Sequence, residues 1–209
     1  IEASGVVKIM TASLGSAEAS FNINGWYDTS KYTSYEFECT GFRVSDAPGF
    51  ISMLFGVGTG GTYYNSAGNY HTYWNVLHPY SGRDDGRGFY NNGANSAATT
   101  SSSDGSSTEH YHNFRVILPN NRDNFNGTNQ NQVVTCQGQG LAKTEAATHP
   151  GHGHGSGESL CHYLITTTLE ASTEPITRIR FKATDSLLDT SFSTKIAANA
   201  RVIVYGRTF

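Results

Sequence analysis

The strongest constraint on this chain is an apolar/polar alternation of period two that recurs from one end to the other. Successive side chains of an extended strand point to opposite faces, so such runs fold as strands with one dry and one wet side. Phe21 and Ile23 alternate with Asn22 and Asn24. Tyr35, Phe37 and Cys39 alternate with Glu36, Glu38 and Thr40, until Gly41 breaks the phase as a bulge would. Phe114, Val116 and Leu118 follow His110 and His112 on one side of the next such run, and Cys161, Tyr163, Ile165 and Leu169 share a side further on. Ile179 and Phe181 oppose a basic stripe of Arg178, Arg180 and Lys182, which is read as solvated, with an anionic glycan or a neighbouring subunit as the other reading. Val202 and Val204 oppose Arg201, Ile203 and Tyr205. Phe50–Gly56 is apolar throughout, as expected of a strand covered on both faces. With Val6–Met10, Tyr70–Val76 and Gln132–Cys136 the count comes to roughly ten strands.

Helical periodicity is scarce. Ser13–Ala19 is the best helical run, and it is short and carries Gly15. Without amphipathic crossover helices a βαβ plan is disfavoured. The expected fold is all-β, an antiparallel two-sheet sandwich with a jelly-roll-like strand order. The 209 residues fit a single domain over 1–209, with 23 glycines among its turns and long loops near 81–104, 120–131 and 138–157.

A net charge of −3 provides no basic face for nucleic acid. No run of about 18 apolar residues is present, so membrane insertion by a helix is not expected. The start at Ile1 is read as a processed or shortened chain with no signal sequence. Cys39, Cys136 and Cys161 are odd in number, which suits buried free thiols; one bridge plus a leftover thiol is the alternative.

The order of features resembles a β-sandwich module of bacteriophage tail-fibre and virion-surface proteins. The opening reads Phe21-Asn-Ile-Asn-Gly-Trp26-Tyr27-Asp28, then Tyr32-Thr-Ser-Tyr35-Glu-Phe37, Ile51–Phe55, Gly58–Gly61 and Gly68-Asn-Tyr70. The close reads Ile176-Thr-Arg-Ile179-Arg-Phe181, Phe192, then Val202-Ile-Val-Tyr205-Gly206. The likeness covers the two ends of the chain and leaves the middle unmatched. It implies a virion component at the particle surface, often trimeric, whose partners are other virion proteins, and it brings no catalytic residues.

Candidate sites are of two kinds, aromatic and His-bearing, and both His-bearing segments lie in the unmatched middle. Exposed aromatics suit stacking on sugars of a host-surface glycan, and the candidates are Tyr73, Trp74, Tyr80 and Tyr90, with Tyr63 and Tyr64 beside them. They are expected at loop tips. His110-Tyr-His112 and His152-Gly-His154 are His-x-His pairs; at a threefold axis such a pair from each chain makes six imidazoles for a transition metal, an arrangement the resemblance brings with it. The competing readings are two imidazoles ending a core stripe and a solvated Gly/His loop. No cofactor is otherwise expected. Carboxylates show no acid/base spacing, and no nucleophile elbow, phosphate loop or zinc helix occurs. The chain is therefore read as binding rather than catalysing, in a tail fibre or adhesin. Capsid decoration or a tail or neck joint is the alternative, and a polysaccharide-degrading enzyme ranks third.

Overall fold

The computed structural model of the chain describes residues 5–28, 30–45, 50–60, 62–66, 69–77, 87–94, 97–98, 111–118, 132–143, 158–169, 174–184 and 195–208. Among them are strands and no helix. In chain order these are β1 (Val6–Ser13), β2 (Ser20–Ile23), β3 (Ser34–Phe42), β4 (Phe50–Val57), β5 (Tyr70–Leu77) and β6 (Arg87–Ala94). The remainder are β7 (Ala97–Ala98), β8 (His112–Leu118), β9 (Gln132–Lys143), β10 (Glu158–Leu169), β11 (Ile176–Thr184) and β12 (Arg201–Arg207). They form two antiparallel sheets, an eight-stranded one in the order β1-β12-β3-β8-β9-β10-β5-β6 and a four-stranded one in the order β2-β11-β4-β7.

The alternation works as its chemistry requires. Tyr35, Phe37 and Cys39 of β3, Phe114 and Val116 of β8, and Val202 and Val204 of β12 are buried from the large sheet. Phe21, Ile23, Ile179 and Phe181 are buried from the small one. Phe42 joins the two layers: its ring centroid lies 5.1 Å from Phe114 of its own sheet and 5.1 Å from Phe181 of the other. Trp26 closes one end, edge-on to Tyr35 at 4.7 Å and to Phe37 at 4.9 Å, with its indole N–H donating to the Ile23 carbonyl at 3.1 Å.

Two buried tyrosines bring their hydroxyls to backbone partners. The Tyr35 hydroxyl donates to the Asp28 carbonyl and accepts the Asp28 N–H. The Tyr70 hydroxyl donates to the Tyr64 carbonyl and accepts the Phe55 N–H. Burial pushes the Tyr35 phenol up to about 12, against a smaller opposing pull from its hydrogen bond to Asp28, and burial raises Tyr70 as well. Cys39 and Cys136 are buried thiols in no disulfide, and burial raises both; the side chain of Cys161 lies outside those described.

Several details differ from the sequence reading. Ser13–Ala19 is not helical: β1 runs to Ser13, and Glu18 then makes an isolated bridge to Ile196. The expected loop over 81–104 contains β6 and β7. That over 138–157 is shortened at its start, because β9 continues to Lys143. In both places pairing with a neighbour overrides poor local propensity: β6 lies against β5, and β9 against β10 along its whole length. The basic stripe is not solvated as read: Lys182 is 1% exposed, and Arg178 and Arg180 are only half-exposed. β4 is buried from Ile51 to Val57, on both faces as expected. Gly41, with φ of 69°, marks the register shift between Cys39 and Phe42.

Candidate functional site

The large sheet has a wet outer face, and its rows can be read across the register. Leu164 of β10 lies beside Asn75 of β5 and Gln137 of β9. Gln137 lies beside Arg115 of β8, and Arg115 beside Glu38 of β3. The next row runs from His162 to Gln139 to Asn113. Along each strand these positions alternate with buried ones, so all of them share one face. Asn113, Arg115, Gln137, Gln139, His162 and Leu164 are exposed.

An open depression of about 430 Å³ lies here, across β3, β8, β9 and β10. Glu38, Thr40, Asn113, Arg115, Gln137, Gln139 and His162 supply its polar lining. Gly138 lies beneath it, between the outward Gln137 and Gln139, and its missing side chain would point to the core. A Cβ at this position would sit 2.5 Å from Phe114 Cβ, 2.7 Å from the Asn113 carbonyl oxygen and 2.7 Å from the Tyr163 hydroxyl. Without a side chain, β9 can approach β8 closely while Tyr163 of β10 reaches over it. The Gly41 bulge adds a second anchor: its N–H donates to Asn113 Oδ1 at 3.0 Å, which fixes the amide orientation and leaves the Asn113 NH2 outward.

Charges on this face are matched across strands. Arg115 Nε lies 3.3 Å from Glu36 Oε1, and Arg207 Nη2 lies 3.6 Å from Glu36 Oε2. The Tyr205 hydroxyl donates to Glu38 Oε2 at 3.2 Å. Desolvation, then Glu38 itself, holds the Tyr205 phenol above its ordinary value, so it remains a donor. The lining is thus rich in amides, which offer paired donors and acceptors, and has no unbalanced charge of either sign. No family model, no curated protein and no solved structure matches the chain. What the face does must therefore be argued from its chemistry.

Of the aromatics singled out in the sequence, Tyr73 is on this face. It is 50% exposed, on β5 between Thr166 of β10 and Tyr90 of β6, diagonal to Leu164. It sits on a strand, not at a loop tip. Trp74 follows it, paired with Ile165 and Phe89; the side chains of Trp74 and Tyr90 lie outside those described. Tyr80 lies outside the described residues altogether. Tyr63 and Tyr64 are partly buried and pack on the core.

His112 occupies the core-stripe position of β8. It is fully buried, with its ring centroid 6.2 Å from that of Tyr163. His110, His152 and His154 lie outside the described residues. Among the described residues no group of three or more His, Cys, Asp or Glu is placed to hold a metal ion. Glu38, Asn113, Arg115, Gln137, Gln139 and His162 were not singled out from sequence. Their only signal was position: each alternates with a core residue.

Proposed function

We propose that this chain is a jelly-roll module of a virus particle surface, of tail-fibre or adhesin type, that attaches to host glycans through the outer face of its large sheet. The depression over β3, β8, β9 and β10 carries this reading. Sugar hydroxyls are both donors and acceptors, and they are met best by side chains that are both. Gln137, Gln139 and the Asn113 NH2 offer that chemistry from a rigid sheet, so little backbone freedom is lost on binding. Tyr73, beyond Leu164 on the same face, offers a flat apolar ring of the kind that stacks on a pyranose.

Strand pairing supports the jelly-roll part. β1 pairs with β12, β2 with β11, β3 with β8 and β4 with β7, and successive pairs alternate between the sheets. A long hairpin rolled up on itself produces this nesting, and capsid and lectin domains use it. The pairs β5–β6 and β9–β10 then extend the large sheet beyond β8. Fold analogy alone assigns no role, so the site chemistry decides. Assembly with further copies, a trimer favoured, and with other virion proteins belongs to the same reading. β1 ends the large sheet, with Val6 56% and Val7 43% exposed, an edge on which a neighbouring subunit can add. Capsid decoration or a tail or neck joint would use that edge and leave the depression idle.

A glycan array separates these roles. The chain should bind a subset of bacterial surface glycans, unaltered in the array, and Gln137→Ala/Gln139→Ala should lose at least about tenfold in affinity while melting like the parent, the loss of a few hydrogen bonds of about 1 kcal/mol each. Undiminished binding by the folded double variant sinks the assignment of the depression. Absence of any glycan signal sinks attachment as the function.

A further inference from the structure

A second polar arrangement lies on the opposite side of the molecule, on the outer face of the small sheet. Arg178 and Arg180 are two residues apart on β11 and share that face. Both gather at one ring: the Arg180 guanidinium carbon is 4.1 Å from the Tyr63 centroid and that of Arg178 is 5.3 Å from it. Each is also tied by hydrogen bonds. Arg178 Nη2 donates to the carbonyls of Val57 at 3.2 Å and Thr62 at 3.3 Å. Arg180 Nε donates to Asn22 Oδ1 at 2.7 Å, and the Tyr63 hydroxyl donates to Asn24 Oδ1 at 3.1 Å. Gly56 makes room for this, because a Cβ there would lie 2.9–3.0 Å from the Arg178 guanidinium.

The charges are the unusual part. On the large sheet Arg115 and Arg207 both face Glu36. Here, among the described residues, no carboxylate pairs with either guanidinium. Two like charges are held over one ring, at a cost in mutual repulsion that the ring quadrupole offsets only in part. Both residues remain partly exposed, and Arg180 keeps both terminal NH2 groups beyond its bond to Asn22.

We propose that Arg178, Arg180 and Tyr63 form a binding site for an oxyanion, a carboxylate or a sulfate ester, carried on an acidic polysaccharide. Forked N–H donors match paired oxygens, and an anion between the two cations turns their repulsion into attraction. Stacking and backbone hydrogen bonds hold the guanidiniums in advance, which lowers the ordering cost of binding. The site is separate from the depression and does not require it to bind sugar.

Immobilised polygalacturonate, dextran sulfate and neutral dextran test it, with the full chain in low salt. The whole protein carries a net charge of −3, so attraction to a polyanion must come from a local patch. The parent should bind at least one polyanion and not dextran, with affinity falling as salt rises. Preference for polygalacturonate assigns a carboxylate, and preference for dextran sulfate a sulfate. Arg178→Gln/Arg180→Gln should lose at least tenfold, whereas Gln137→Ala/Gln139→Ala should retain parental affinity for the polyanion. If the double arginine variant fails to fold, Arg180→Gln alone gives the same reading, because its side chain is bonded only to the exposed Asn22. Failure of the parent to bind either polyanion, or equal binding by a folded arginine variant, overturns the proposal. Loss in the glutamine variant instead would also overturn it, by placing the polyanion in the depression.

Discussion

Phe42→Ala should lower the unfolding free energy by about 3–5 kcal/mol, the largest single-residue effect expected here. Phe42 is fully buried at the end of β3, beside the Gly41 bulge. Its ring touches Phe114 on the large sheet and both Phe21 and Phe181 on the small sheet. Phe114 and Phe181 are themselves 5.9 Å apart, so the cluster is closed around it. Truncation therefore removes transfer energy and leaves a cavity between two sheets whose backbones are fixed by their own ladders and collapse little. Since domains of this kind are stable by only about 5–15 kcal/mol, a large share of the total is at stake. Urea denaturation of parent and variant measures the difference; a change below about 1 kcal/mol would mean that Phe42 does not join the layers.

Gly138→Ala should be the next most damaging change, about 1–3 kcal/mol by overpacking. The added methyl meets Phe114 Cβ and the Asn113 carbonyl, atoms fixed to the β8 backbone, so the strands themselves must part. The same shift moves Asn113 and Gln139, which line the depression. Stability and glycan affinity should thus fall together, and the affinity loss should persist at temperatures where the variant is fully folded. A variant as stable as the parent would show that β8 and β9 are not in this close register.

The fold was legible because burial acts on every second residue. Ten of the strands coincide with alternating or wholly apolar runs, and within the apolar run the residues from Ile51 to Gly56 are covered on both faces. β6 was hidden because Arg-Gly-Phe-Tyr-Asn-Asn-Gly-Ala is turn-forming in composition, and only its pairing with β5 makes it a strand. The far end of β9, Gln-Gly-Gln-Gly, was hidden likewise. Lys182 shows the limit of alternation: the pattern places a side chain on a face, but does not reveal what covers that face.

The site was much less legible. An outward residue has no apolar signature, and Glu38, Arg115 and Gln137 become neighbours only through the order β3-β8-β9. Alternation predicts which residues are strands, not which strands adjoin. Tyr73 stands out in the sequence because an aromatic with a polar tip is noticeable by itself, and the structure adds its exposure, whereas amides are unremarkable until a sheet gathers them.

Amide hydrogen exchange, with and without the oligosaccharide that the array selects, tests the binding face most directly. Added protection should fall on 113–115, 137–139 and 162–164 and spare β2 and β11. Protection confined to β1, to the small sheet or to the connections between strands would contradict it.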